Sequence, residues 1–384
     1  MKSCLSRTKK ERIALKKFVS LMLAVVMLLS VASFASAEDA IRVAMITDSG
    51  DITDQSFNQT TYEACKAFCE ANGIDFKYYK PAGDSNPERV AMIDAAVEDG
   101  FNVIVLPGFL FAPAIAECQP MYPEVKFIAL DVSEYDLSSN GVNVAEAANL
   151  YSAVYQEELS GYMAGVAAVK LGYKHLGFLG GMAVPAVIRF GYGFVQGAND
   201  AAKELGLTDV AIEYVYGNQF YGDADITAYM DNWYQTMGVE VVFACGGGIY
   251  SSAAEAAQKV GGKVIGVDTD QSGVIDGAYG EGLTVTSAMK GLAATVNTML
   301  KIVVDGEFDK VAGQVENLGL VSAEDPELNY VQIPMASTQW ADSFTQDDYK
   351  ALVAAMFDGT ITVSAATDVE PTVDITVNYY GNVK

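Results

Sequence analysis

Arg42-Val43-Ala44-Met45-Ile46-Thr47-Asp48, with Asp54-Gln55-Ser56-Phe57-Asn58 close behind, is the stretch whose reading decides the fold. Residues 42–46 are short, apolar and partly β-branched, which predicts a buried strand, and residues 56–69 read as a helix. Asp48 to Asn58 is therefore a strand-to-helix connection. In open α/β sheets ligands sit at such connections, outside the carboxyl ends of the strands. Carboxylates, an amide and an aromatic ring are concentrated here. An alternative stands beside this reading: Asp54 or Ser56 caps the helix and Phe57 packs in the core.

The same alternation runs through the chain. Further strands are predicted at 75–79, 103–106, 126–130, 141–144, 176–179, 211–215, 241–244, 264–267 and 284–287. Helical patterns lie between them at 87–98, 151–169, 189–204, 224–237, 251–259 and 288–305. Apolar strands interleaved with amphipathic helices predict parallel sheets covered on both faces, an α/β architecture. The length exceeds one ordinary core, so two doubly wound parallel-sheet lobes are expected, with a cleft between them that suits a small molecule. The predicted division is a leader at 1–37, one lobe from 38–143 plus 284–312, and a second from 144–283 plus 313–384, joined by several short crossings.

Residues 1–37 read as a secretory leader: Lys9, Lys10, Arg12, Lys16 and Lys17, then an apolar run from Phe18 to Phe34, then Ala35-Ser36-Ala37. Cleavage is expected before Glu38, which makes the mature protein exported, periplasmic or associated with the cell surface. Cys4 precedes the apolar run and is not placed to carry a lipid. The leader holds seven of the 24 basic and one of the 49 acidic residues, so the mature chain keeps 17 and 48, a net charge of −31. That field repels phosphate backbones and anionic lipid, so nucleic acid is not an expected partner.

Cys65, Cys69, Cys118 and Cys245 lack the paired close spacings of a thiolate zinc site and read as small buried residues. His175 is the single histidine, which leaves no Ser-His-Asp or Cys-His machinery unless it acts alone, and its neighbours Lys174 and Leu176 suggest a surface turn. No metal or other cofactor is expected.

Gly246-Gly247-Gly248 follows a strand and lets backbone approach a ligand closely, or is a plain turn; no Gly-Lys-Ser/Thr ending makes it a phosphate loop. Gly191, Gly193 and Gly197 miss the dinucleotide spacing by one. Asp268, at the end of its strand, could accept hydrogen bonds from two adjacent hydroxyls, as a ribose presents, or cap a helix. Lys290 could donate to the same hydroxyls or pair with Asp268. Asp131 closes a strand with the same ambiguity. Phe57 and Phe220 offer flat faces to a ring, or fill the core.

Several separated stretches together resemble the basic membrane protein family of ABC-transporter solute-binding proteins, whose best-defined members are purine nucleoside receptors. They are Thr47-Asp48 with Asp54-Gln55-Ser56-Phe57-Asn58, Gly161-Tyr162-Met163-Ala164-Gly165, Gly177 to Met182 and Arg189-Phe190. Cys245-Gly246-Gly247-Gly248, Ile265-Gly266-Val267-Asp268-Thr269-Asp270-Gln271 and Thr286-Ser287-Ala288-Met289-Lys290 complete the set. The D-x-S-F-N and G-V-D-x-D-Q pieces are the specific ones.

The resemblance implies a type I periplasmic-binding fold that closes on a nucleoside and serves a permease and its ATPase, as a monomer. Phe57 would stack on the base, with Phe220 or its neighbour Tyr221 on the other face. Asp48, Asn58 and Asp131 would read the base edge, Gly246 and Gly247 would line the site, and Asp268 with Lys290 would hold the ribose. Ala37-Glu38 stands where many members carry a lipid-modified cysteine. Two other readings compete: a nucleoside or sugar hydrolase using Asp48 and Asp131 as acid and base, and an adhesin on the same fold.

Overall fold

The computed structural model describes residues 40–384, so the leader, its cleavage point and Cys4 lie outside it. The first sheet contains β1 (Arg42–Ile46), β2 (Asp75–Tyr79), β3 (Val103–Pro107), β4 (Lys126–Leu130) and β5 (Leu150–Tyr155). The second contains β6 (His175–Gly180), β7 (Ala211–Tyr216), β8 (Val241–Cys245), β9 (Lys263–Asp268) and β10 (Thr284–Lys290). β11 (Gln314–Leu318) then returns to the first sheet, and β12 (Val331–Gln332) and β13 (Thr376–Asn382) join the second.

Around the first sheet lie helices α1 (Phe57–Asn72), α2 (Asn86–Glu98), α3 (Ala112–Met121) and α4 (Glu134–Ser139). α5 (Glu157–Lys170), α6 (Pro185–Leu205), α7 (Ala224–Asp231), α8 (Tyr250–Gln258) and α9 (Ser272–Tyr279) accompany the second. α10 (Leu292–Val304) packs back on α1, and α11 (Gln346–Phe357) packs on α5.

Strand order is β11-β5-β4-β3-β1-β2 in one lobe and β12-β10-β9-β8-β6-β7-β13 in the other. The pairings of β1 with β3, β3 with β4, β4 with β5, β6 with β7 and β8, and β9 with β10 are all parallel. β12 is antiparallel to β10. The central strands are fully buried, as helices on both faces require: Val43 to Ile46, Ile104 to Leu106 and Val241 to Ala244 have no exposed surface.

The order of strands reverses between β1 and β3 in one sheet and between β6 and β8 in the other, and ligand crevices open at such points. A glycine leaves room for a close neighbour at both. A β-carbon on Gly108, after β3, would stand 2.0 Å from Asp48 Oδ2, after β1. One on Gly246, after β8, would stand 2.8 Å from Gly181 Cα, after β6.

Three parts of the expected division are corrected by strand pairing. Residues 151–155, read as the start of a helix, belong to β5 in the first sheet, because the helix starts only at Glu157-Glu158, whose carboxylates favour a helix N-terminus. Residues 284–290 belong to the second sheet, beside β9. Residues 314–318, assigned to the second lobe, pair with β5 in the first. The predicted strand at 141–144 is instead a turn leading into a short 3-10 segment, Val144–Glu146.

The chain crosses between lobes at Gln156, at Gly291 and through residues 319–330. These crossings are bonded together: Gln156 N–H donates to the Leu318 carbonyl at 3.0 Å, Gly291 N–H to Tyr330 at 2.6 Å, and Tyr330 N–H to Gly319 at 3.0 Å.

α5 and α6 touch through glycine. β-carbons on Gly161, Gly165, Gly193 and Gly197 would each lie 2.1 to 2.2 Å from a backbone oxygen of the opposite helix. Gly193 and Gly197 thus serve helix packing, which brings the start of α5 against the start of α6, while Gly191 makes room for Tyr214 and Phe178 on the sheet.

His175 opens β6, where its Nε2 meets the buried Glu213 at 2.8 Å, far along the strand from the cleft. Cys65, Cys69, Cys118 and Cys245 are free and buried. Among the described residues no helix is long and apolar enough to cross a membrane.

Candidate functional site

A cavity of about 660 Å³ lies between the two sheets at their carboxyl ends. Asp48, Phe57, Asn58, Asp131, Phe220, Gly246, Gly247, Asp268 and Lys290 all line it. All nine candidates from the sequence therefore converge, although they are spread over more than two hundred residues. The strand-end rule explains this: Asp48 follows β1, Asp131 follows β4, Gly246 and Gly247 follow β8, Asp268 ends β9 and Lys290 ends β10.

At the start of α1 the capping question resolves between neighbours. Asp54 is the cap: Oδ1 accepts from Ser56 N and Gln59 N, and Oδ2 from Asn58 N, each at 3.0 Å. Asp54 Oδ2 also accepts from Asn58 Nδ2 at 3.0 Å, which sets the amide's orientation. Ser56 makes no capping bond. Its hydroxyl reaches across the cleft and donates to Asp268 Oδ2 at 2.6 Å. Beside it, Gln271 Nε2 donates to the Gln55 carbonyl at 3.0 Å. Phe57 is half-buried, not a core residue, and Lys290 Nζ stands 4.8 Å from its ring centroid.

Lys290 is the hub. Its ammonium is 2.5 Å from Asp131 Oδ2, 3.4 Å from Glu157 Oε1 and 3.9 Å from Asp268 Oδ1. Tyr155 and Phe190 add ring faces at 5.4 and 5.8 Å. Burial by itself would push this ammonium down, but the three carboxylates together hold it well above the usual lysine range. Burial raises Asp268 to about 6 against the opposing pull of Lys290 and the Ser56 hydroxyl. Burial also raises Asp131, partly offset by Lys290. Asp48, whose Oδ1 accepts from Ser49 N at 2.6 Å and Gly50 N at 3.3 Å, is likewise raised by burial to about 6.

Asp131 and Asp268 have positive φ, 61° and 65°. That left-handed conformation is unfavourable for residues with a β-carbon and recurs at functional sites. Here it falls at the strand's carboxyl end, just past β4 for Asp131 and on the last residue of β9 for Asp268, where the side chain lines the cavity.

Phe220 is half-buried against Gly181, whose β-carbon would stand 2.5 Å from the ring, while Tyr221 is exposed at the rim. Both line the cavity. Several charged groups escaped the residue-by-residue reading, among them Asp51, Asp84 and Asp136, which line the cavity. Arg189, on α6, lines the cavity, and Glu157, at the start of α5, lies behind it with Oε2 2.6 Å from Arg189 Nε. A signal for Glu157 was present: an acidic pair opening an otherwise apolar helix.

The model of a family described as ABC transporter substrate-binding protein, PnrA-like, matches residues 41–323. The chain belongs to that family. Among its curated relatives, the ABC transporter nucleoside-binding protein BmpA of Lactococcus lactis subsp. cremoris is 25% identical over 287 residues, covering 70% of this chain and 76% of the relative. Basic membrane protein B of Borreliella burgdorferi is 27% identical over 297 residues, covering 74% and 80%. Of solved structures, an ABC transporter solute-binding protein from Aeropyrum pernix superposes with a TM-score of 0.64 at 21% identity, covering 84% of this chain and 87% of that one. These likenesses establish an ABC transporter substrate-binding protein of type I periplasmic-binding fold, a class that takes small molecules and works with a permease and an ATPase. In this substrate-binding protein, the family match stops short of α11 and β13.

Proposed function

We propose that this protein is the extracytoplasmic receptor of an ABC importer that captures a nucleoside, with a purine base, between its lobes and delivers it to the permease as a monomer. The observation that carries the reading is the arrangement at Asp268. One oxygen accepts from Ser56, and the other faces Lys290 at 3.9 Å, too long for a direct bond and spaced for a hydroxyl to bridge them. Adjacent ribose hydroxyls fit that need, donating to Asp268 and accepting from Lys290. Phe57 supplies a ring face for the base, with Phe220 or Tyr221 opposite. Asp48 and Asn58 are the groups for the base edge, and Asp131 turns one oxygen to Lys290.

The cavity volume lies within the range of about 300 to 1,000 Å³ usual for small-molecule sites. The relative named as a nucleoside-binding protein supports the same ligand class. Residues 1–37 fit a leader that exports it. Hydrolysis is disfavoured because Asp131, one of the two carboxylates it would need, is engaged by Lys290 at 2.5 Å.

A thermal-shift panel tests the reading. Purine nucleosides at a hundred times their dissociation constant should stabilise the fold by about 2.7 kcal/mol, while free bases and hexoses shift it little. Stabilisation by a hexose and not by nucleosides would overturn it, and release of free base from a nucleoside would make the protein a hydrolase.

A further inference from the structure

The cation at the centre of the cavity is held by a carboxylate that does not line it. Glu157 is fully buried and shared between Arg189, at 2.6 Å, and Lys290, at 3.4 Å. Its place in the chain matters as much as its contacts. Glu157 stands one residue after the Gln156 crossing, and Lys290 stands one residue before the Gly291 crossing. The partners of Lys290 come from both lobes: Asp131 follows a strand of the first sheet, whereas Glu157 and Asp268 share the second lobe with Lys290 itself.

Rigid lobes that swing about the three crossings carry Asp131 away from Lys290 and leave Glu157 beside it. Glu157, 3.4 Å from the ammonium against 3.9 Å for Asp268, is thus the nearer of the two counter-ions that persist when the cleft is open. We propose that Glu157 is a positioning residue that keeps Lys290 charged and aimed at the cleft throughout opening, so that closure completes a cluster of ion pairs and does not bury a bare ammonium. A buried charge stripped of its partner is strongly unfavourable, which gives one carboxylate behind the cavity leverage over binding within it. The inference goes beyond the nucleoside reading, and a nucleoside enters only as the probe.

The titratable groups facing Lys290 are Asp131 after β4, Tyr155 on β5, Glu157 on α5, Cys245 on β8 and Asp268 on β9, while Arg189 on α6 pairs with the other oxygen of Glu157. Burial raises both the Tyr155 hydroxyl and the Cys245 thiol, so neither supplies charge at neutral pH. The compensation falls to the three carboxylates.

Glu157→Gln keeps the shape and removes the charge. In ligand-free protein labelled with 13C at lysine Cε, the Lys290 resonance of the wild type should stay that of an ammonium from pH 6 to pH 10, and in the variant it should titrate inside that window. Nucleoside affinity should fall roughly 10- to 100-fold at pH 7 and fall further toward pH 10, where the wild type is flat. A Lys290 resonance and a binding profile unchanged in the variant would overturn the proposal. Should Glu157→Gln not fold, the double variant Glu157→Gln/Lys290→Met decides. Its affinity should match that of Lys290→Met alone, and a further tenfold loss would show that Glu157 does not act through Lys290. If the wild type binds no nucleoside, the ligand reading fails while the lysine titration still decides the role of Glu157.

Discussion

Asp131 and Asp268 hold a backbone conformation that costs on the order of 1 kcal/mol or more for a residue with a β-carbon, and each carboxyl is tied down on arrival, by Lys290 and by Ser56. Asp268→Asn keeps the shape and turns one acceptor into a donor. It should lose most nucleoside affinity, at least about tenfold, because a hydrogen bond to a charged group contributes about 1.5 to 3 kcal/mol; unchanged calorimetric affinity would leave Asp268 as a structural residue. Phe57→Ala should cost about 1 to 3 kcal/mol of binding, the scale of stacking on a base, and a folded variant with native affinity would remove Phe57 from the site. Asp48 gives a pH-dependent test. Its folded pKa, near 6, lies above its ordinary 3.8, so the folded state holds that proton more tightly. The resulting stability is fully present below about pH 4 and lost as pH rises through 6. Asp48→Asn should therefore gain on wild type by on the order of 2 to 3 kcal/mol in urea melts between pH 4 and pH 7. A difference that does not change with pH would contradict the burial of that carboxyl.

At the scale of elements, the helix pair α5 and α6 decides where Glu157 and Arg189 meet, and glycine decides how close the pair comes. Gly193→Ala places a methyl 2.1 Å from the Glu158 carbonyl, so the helices must part. A loss of about 1 to 3 kcal/mol in denaturant melts is expected, typical of overpacking, and a neutral substitution would refute the close contact. The sequence made much of this scale legible. Short apolar runs marked the central strands β1, β3, β4 and β6 to β10, and polar residues at the ends of β1, β4, β9 and β10 turned out to be cavity residues, because a parallel sheet sends all its strand ends to one edge. β5 was hidden because Tyr151 to Tyr155 runs into a helix without a turn residue, and only Glu157-Glu158 marks the boundary. β11 was hidden because Gln314-Val315-Glu316-Asn317-Leu318 is an edge strand that buries little. The bond from Ser56 to Asp268 had no local signal, since the two residues are 212 positions apart.

At the scale of the molecule, the bonds from Ser56 to Asp268, Gln271 to Gln55 and Lys290 to Asp131 all join opposite lobes, and the three bonded crossings form the axis about which the lobes can part. Ligand should shift the population toward this closed form, so small-angle scattering should give a smaller radius of gyration with nucleoside than without. Equal radii would contradict closure. The central claim, a receptor that recognises base and ribose together, is tested most directly by calorimetry of the wild type with a purine nucleoside, its 2′,3′-dideoxy analogue and the free base. The account predicts tight binding of the nucleoside and a loss of about tenfold or more on removing either the hydroxyls or the sugar. Equal affinity for all three, or none for any, would contradict it.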